Sequence, residues 1–292
     1  MKFYCIIRSR TDIQNQDTYN LLKKAVAARG LEFVDLETNV IDYDRLDEII
    51  EPGSLLYRIA GGSRSSLLEV LVSDRTTTLK RDVSAILSRG LSWGSAIRMQ
   101  HAGLPVIPTI FNVSRIHAAR VPAYVESLGG FPVILKSAGG SHGSGVMKFD
   151  TLESLQAVLD YVSDDKSRDL VLRRFIANAQ HLRLVVVGDQ VVDTIRYRPQ
   201  EDDFRTNAVA APQVDPVTDV SAQILADAVR AVHCQGLEFG GVDILVDEEG
   251  DHYIAEVNFP CNFARNQLNT GTDIAGHIVD YLLKKHDKEQ SA

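Results

Sequence analysis

The chain has 292 residues, 45% of them hydrophobic and 24% charged, a profile that excludes disordered and fibrous classes and supplies enough apolar material for a sizeable core. Its 39 acidic and 31 basic residues give a formal charge of −8, so neither nucleic acid nor an anionic membrane is drawn to it at long range. At roughly 100–200 residues per domain, the length predicts about two domains, or one α/β domain with a large second lobe.

The amino terminus, Phe3 to Ile7, reads as a β-strand and is too short in apolar residues for a secretory signal. Helical spacing of Leu21, Leu22, Ala25 and Val26 predicts a helix over Thr18 to Arg29, stopped by Gly30. A strand at Leu31 to Leu36, a short helix at Tyr43 to Ile50 and a strand at Ser54 to Ile59 complete a β-α-β-α-β pattern, the start of a doubly wound domain. No glycine-rich phosphate turn follows the first strand, where Arg8-Ser9-Arg10-Thr11 stands, so a dinucleotide site is not expected there.

Residues 63–90 read as helical, as do 96–102, which Gly103 ends. Leu104 to Thr109 is expected to be a connecting or edge strand, and Ser114 to Ser127 a helix interrupted near Pro122. Strands follow at Pro132 to Lys136 and Val146 to Phe149, flanking a glycine-rich loop, then a helix from Leu152 to Val162 capped by Thr151. After a strand at Val171 to Phe175 come two hairpins, at about 181–198 and 241–258, separated by a helix from Ser221 to Cys234. The last helix runs from Ile274 to His286 with Thr272 or Asp273 as cap, and the tail beyond it is expected to fray. The longest apolar runs fall far short of the roughly 20 residues of a membrane helix. Cys5, Cys234 and Cys261 are odd in number and form no C-x-x-C pair, which fits a cytoplasmic protein without a zinc site.

Three constellations carry chemistry. Lys136 leads into a loop containing Gly139, Gly140, Ser141, His142, Gly143, Ser144 and Gly145. Such a loop offers backbone N–H groups and hydroxyls without bulk, as close approach to phosphates requires, and between two strands it forms a flap rather than a Walker loop. The second is an acidic hairpin whose turn near Glu249-Gly250 places Asp243 opposite Glu256, with Asn258 on the same face. Like charges across an antiparallel pair repel unless a cation lies between them, and these hard oxygens suit Mg²⁺ or Mn²⁺. Asp247, Glu248, Glu249 and Asp251 are read as solvated.

The third is a basic hairpin turning at Gly188-Asp189, which on a regular ladder opposes Arg183 to Thr194 and His181 to Arg196, with Arg198 following on that face. Leu182, Leu184, Val186, Val191, Ile195 and Tyr197 form its expected core side. A row of arginines opposite a core can hold carboxylate or phosphate bidentately, or can be a solvated face. Arg205 and Asn207 follow shortly after.

With these residues in hand, the chain resembles the ATP-grasp superfamily, in particular its ribosomal-protein glutamate ligases and related amino-acid ligases. The matching stretches are Val133 to Val146, Leu182 to Val192, Asp203 to Asn207, Gly241 to Asn258 and Thr270 to Gly276, in the family's order. The resemblance implies an α/β ATP-grasp fold: a pre-ATP-grasp domain over 1–90, a central lobe with the flap over 91–170, and a carboxy-terminal lobe with the metal site over 171–292. ATP would lie between the lobes, with Lys136 and the Gly140 to Gly145 flap on its phosphates and the hinge Arg173, Arg174, Phe175 and Ile176 on its adenine. Asp243, Glu256 and Asn258 would hold one or two Mg²⁺ ions, and Arg205 would stabilise the transferring phosphoryl group.

Arg183, Arg196, Arg198 and Asn207 become the expected substrate-binding residues. The implied activity is ATP-dependent joining of a small-molecule or peptide carboxylate to an amine through an acylphosphate, in a fold that commonly forms homo-oligomers. A nucleotide-sensing protein without turnover and a small-molecule kinase are the alternatives. The chain departs from the family where a further nucleotide-binding lysine is usual, at Leu91-Ser92-Trp93-Gly94, and where the hinge usually carries glutamate, at Arg174.

Overall fold

The computed structural model describes residues 1–81, 93–113, 118–137, 145–162, 170–199, 203–205 and 212–291. The amino-terminal part consists of β1 (Lys2–Ile7), α1 (Gln16–Ala28), β2 (Glu32–Glu37), α2 (Leu46–Ile49), β3 (Ser54–Arg58), α3 (Ser63–Val72) and β4 (Thr76–Thr77). Its parallel sheet has the order β2-β1-β3-β4. Period-two alternation in β1 explains why both faces are covered. Tyr4 and Ile6 enter a core with Leu36, Leu56, Leu68 and Val72, while Phe3, Cys5 and Ile7 enter a second core with Leu22, Val26 and Tyr57. The helix expected over 63–90 ends at Val72, because the chain turns to pair Thr76 and Thr77 with Ser54 and Leu55; residues 82–92 lie outside the described residues.

After α4 (Gly94–His101), the middle sheet is built from β5 (Thr109–Phe111), β6 (Val133–Ser137), β7 (Val146–Phe149) and β8 (Leu170–Arg174) in the order β5-β8-β6-β7. The strand expected over Leu104 to Thr109 starts at Thr109; before it Val106 forms an isolated parallel bridge with Ile254, and the Pro105 carbonyl accepts from the Ile254 N–H at 2.7 Å. Val133, Leu135 and Leu172 pack on α5 (Val121–Ser127) and α6 (Leu152–Val162) through Val125, Leu155 and Leu159. Pro122 stands in the first turn of α5, where its missing N–H costs nothing. The alternate residues Ile134, Lys136 and Arg173 therefore point the other way, across a cleft to the third sheet.

That sheet comprises β9 (Gln180–Val187), β10 (Gln190–Tyr197), β11 (Val214–Pro216), β12 (Phe239–Val246) and β13 (His252–Asn258), ordered β11-β10-β9-β12-β13. Helices α7 (Ala222–His233), α8 (Ala264–Thr270) and α9 (Ile274–Gln290) pack against it. Ala228, Val232, Ile278 and Leu282 share one core with Phe3, Leu55 and Tyr57, so the first and third sheets enclose common apolar material. Ser221 caps α7 by accepting from the Ile224 N–H, and Asp273 caps α9 by accepting from Gly276. The tail expected to fray is helical to Gln290, held by Lys285, whose ammonium donates to the carbonyls of Thr78 and Lys80. Among the described residues, no helix is long and apolar enough to cross a membrane.

Candidate nucleotide and metal site

The acidic hairpin supplies one wall of the cleft. Asp243 pairs in register with Glu256, as the alternation predicts, and Asn258 lies two residues on, opposite Gly241. A β-bulge between Asp243 and Ile244 shifts the ladder nearer the turn, so Ile244 faces Ile254. Glu248, Glu249 and Asp251 are exposed, and Asp247 folds the turn by accepting from the Asp251 N–H at 2.8 Å. Asp243 is only 2% exposed. Arg183 on β9 donates to both its carboxylate oxygens at 3.0 and 3.1 Å, and His181 Nε2 stands 3.5 Å away. Burial alone would raise the Asp243 carboxyl, but Arg183 and His181 bring it down to about 2. Gly241 makes this packing possible: a Cβ there would sit 2.6 Å from Cys261 Sγ and 2.7 Å from an Arg183 nitrogen.

The middle sheet supplies the facing wall. Lys136 Nζ reaches Glu256 Oε2 at 3.4 Å. In the β6–β8 ladder Arg173 pairs with Ile134 and Lys136 with Val171, which puts both cations on the cleft face. Arg173 is 8% exposed, donates to the Ala255 carbonyl at 3.4 Å and stacks its guanidinium over Trp93 at 5.7 Å. Burial lowers the Arg173 guanidinium, and Glu256 partly opposes that shift. Lys148 on β7 pairs with Ile134 and joins the same face, with its ammonium 4.9 Å over the Phe175 ring. Counting by twos from Val146 was enough to find Lys148, which the sequence reading passed over.

The basic hairpin departs from its expected register. The turn is where the sequence places it, with Gln190 facing Val187, but a bulge between Val191 and Asp193 moves every later pair by one. Arg183 therefore faces Ile195 rather than Thr194, and His181 faces Tyr197 rather than Arg196. Because side chains alternate, Ile195 and Tyr197 share the Arg183 face, and Arg196 points to the opposite one. Arg198 is held in a bidentate pair by Asp215 on β11, with Arg196 3.9 Å from the same carboxylate. Three arginines do not line up on one surface; Arg183 alone reaches the acidic face.

At the hinge, Ile176 is buried and Arg174 is exposed, its guanidinium 5.9 Å from the centre of the Tyr253 ring. Phe175 meets Phe204 edge-on at 6.3 Å, which brings the neighbouring Arg205 to the hinge side of the cleft. Arg205 is anchored by Asp203 at 2.8 to 3.1 Å, a pair that lowers the carboxyl and raises the guanidinium. Gly140, Ser141, His142, Gly143 and Ser144 lie outside the described residues, as does Asn207. Gly145 closes the loop with a positive φ of 75°, and its carbonyl accepts from the Ser137 N–H at 3.0 Å.

The donor set fits a divalent cation. The Asn258 amide nitrogen donates at once to Asp243 Oδ2 at 3.1 Å and to Glu256 Oε1 at 2.9 Å, occupying the position of a charge shared by two carboxylates. Turning that amide over would present its oxygen as a third hard ligand. Among the described residues no cluster of three His, Cys, Asp or Glu side chains converges, so the site rests on two carboxylates and an amide, and an octahedral ion would take its remaining ligands from phosphate or water oxygens.

Comparison with known proteins gives a consistent result. The profile of the RimK-like ATP-grasp domain matches residues 105–282. A probable alpha-L-glutamate ligase of Picosynechococcus sp. is 30% identical over 171 residues, covering 58% of this chain and 56% of that protein. One from Cellvibrio japonicus is 32% identical over 182 residues, 62% of this chain and 58% of the relative. The chain thus spans little more than half the length of these curated relatives. Among solved structures, the ATP-grasp ligase PsnB complexed with minimal precursor superimposes with a TM-score of 0.74 at 19% identity, over 98% of this chain and 100% of that one. D-alanine--D-alanine ligase from Bacillus anthracis does so with a TM-score of 0.70 at 16% identity, over 99% of each. The fold is therefore ATP-grasp.

Proposed function

Because this chain belongs to the RimK-like ATP-grasp family, we propose that it is an ATP-dependent carboxylate–amine ligase. The observation that carries the reading is the meeting of Lys136 with Glu256 at 3.4 Å across the cleft, beside the Asp243–Asn258 pair. A cation on one sheet and paired carboxylates on the other form the two halves of a site for a metal-bound polyphosphate.

A carboxylate is a poor electrophile at neutral pH. Its oxygen attacks the γ-phosphorus of ATP, the bond from that phosphorus to the β-bridging oxygen breaks, and ADP leaves an acylphosphate behind. The amine nitrogen then adds to the acyl carbon, inorganic phosphate departs, and loss of the amine proton leaves the amide. Lys136 holds phosphate oxygens, and Arg205 neutralises charge on the transferring group. Arg183 fixes the orientation of Asp243. Asp243, Glu256 and Asn258 would hold Mg²⁺ or Mn²⁺, which supplies charge neutralisation for the phosphates. The glutamate ligases among its relatives support an amino acid as one substrate, joined to an amino acid, a peptide or a carrier.

The test is ADP release across a panel of amino acids and peptides, with mass spectrometry of the products. The wild-type chain should release ADP only with a matched carboxylate and amine and should yield an amide, while Lys136→Ala and Glu256→Ala should fall to background. Undiminished turnover in either variant, or ADP formed without amide, overturns the assignment.

A further inference from the structure

On the face of the middle sheet that carries Lys136 lie buried donors that none of the described residues satisfies. Among the described residues, Arg173 Nε and Trp93 Nε1 are both buried without a hydrogen-bond acceptor, and the hydroxyl of Ser95, two residues along, has no partner there either. Buried polar groups are almost always paired, so adjacent orphans mark a position where a ligand completes the set. The two that stack on each other, guanidinium over indole at 5.7 Å, can only donate. Whatever completes them must accept, and the several oxygens of one phosphate group can accept from both at once.

The sheet register says where that acceptor lies. Arg173 and Lys136 share the cleft face of the middle sheet, on adjacent strands and two residues apart in the ladder. Thr109 on β5, which pairs with Arg173, extends the same row. Trp93, at the start of α4, meets this row through its stack with Arg173 and lies 6.4 Å from Phe111. The fork of a guanidinium suits two oxygens of one phosphate group. The only protein acceptor for Arg173 that the described residues provide, the Ala255 carbonyl, is long at 3.4 Å.

We propose that Arg173 and the Trp93 indole N–H form a second phosphate clamp, which together with Lys136 grips the polyphosphate of the nucleotide. The clamp rests on the nucleotide-binding reading above and assigns Arg173 to the phosphates rather than to the adenine side of the hinge. It makes Trp93 a ligand-contacting residue.

Trp93 is the only tryptophan of the chain, so its fluorescence reports on the clamp alone. In the wild-type protein, ADP with Mg²⁺ and inorganic pyrophosphate should each change its emission, and adenosine should not. Arg173→Gln should weaken ADP binding roughly tenfold to a hundredfold, as expected for lost charge-assisted hydrogen bonds. It should leave adenosine affinity, measured by competition, where it was. Arg173→Lys should recover part of the loss, and thermal melts of both variants should show that they fold. Equal weakening of ADP and adenosine would mean that Arg173 only packs the hinge, and unchanged ADP binding in Arg173→Gln would remove the clamp while leaving the nucleotide site. If the wild-type chain binds neither ADP nor adenosine by calorimetry, the nucleotide reading fails and the clamp fails with it.

Discussion

The two hairpins of the third sheet were open to the same argument and answered it differently. In β9–β10 the turn sits where glycine places it, the first pairs follow, and one extra residue then rotates the rest of the strand so that Arg196 leaves the Arg183 face. In β12–β13 the ladder next to the turn is one residue off the expected register, and a bulge restores it at Asp243 and Glu256. Alternation is thus a reliable guide between bulges and carries no information across one. The consequence is chemical. One carboxylate is buried against Arg183 on the cleft face, and another, Asp215, is on the basic hairpin's edge strand with Arg198.

Removing the charge of Asp243 tests the buried half of this contrast and should have the largest effect on stability. Asp243→Asn leaves the Arg183 guanidinium buried without its anion, and breaking such a pair costs about 3–5 kcal/mol. Urea denaturation measures it, and a loss below about 1 kcal/mol would show that the pair is solvated rather than buried. A smaller effect should follow from Gly241→Ala. Its new methyl group collides with Cys261 and Arg183, and overpacking of this kind costs about 1–3 kcal/mol. The same variant should bind Mg²⁺-ADP less tightly than wild type by calorimetry, because Arg183 can no longer hold the Asp243 carboxylate in place; unchanged stability and binding together would show that the neighbours yield freely.

Much of this architecture was legible beforehand because its signals are local. The helix Leu152–Val162 has the expected bounds, with the Thr151 hydroxyl accepting from the Ser154 N–H at 3.3 Å. The Ser221 and Asp273 caps are equally local. Helix α8, over Ala264–Thr270, was missed because it is short, polar on most faces and set by packing against β10 and β11. The facing of Lys136 and Glu256 depends on two sheets meeting across 120 positions of sequence, and only the family resemblance anticipated it. Trp93 was legible only as the place where a lysine is lacking. Its stacking partner comes from a strand 80 residues later, and no pattern within either segment records the contact.

The weakest expected effect tests the other half of the contrast. Asp215 holds Arg198 bidentately, at 2.5 to 3.0 Å, in better geometry than many buried pairs. Geometry is not the deciding factor, because the side chains are 30% and 54% exposed. Water and salt screen such a pair, and ordering two mobile side chains offsets much of the attraction. Asp215→Asn should therefore leave the urea midpoint almost where it was, and what small change remains should shrink further in high salt. Asp243→Asn should keep its full penalty in that salt, since ions do not reach a carboxylate that is 2% exposed. The two substitutions delete the same charge from two strands of one sheet, β12 and the edge strand β11. If Asp215→Asn proves as costly as Asp243→Asn, or if salt erases both penalties alike, burial is not what separates the two hairpins, and the bulge in β10 has to be credited with something other than turning its arginines outward.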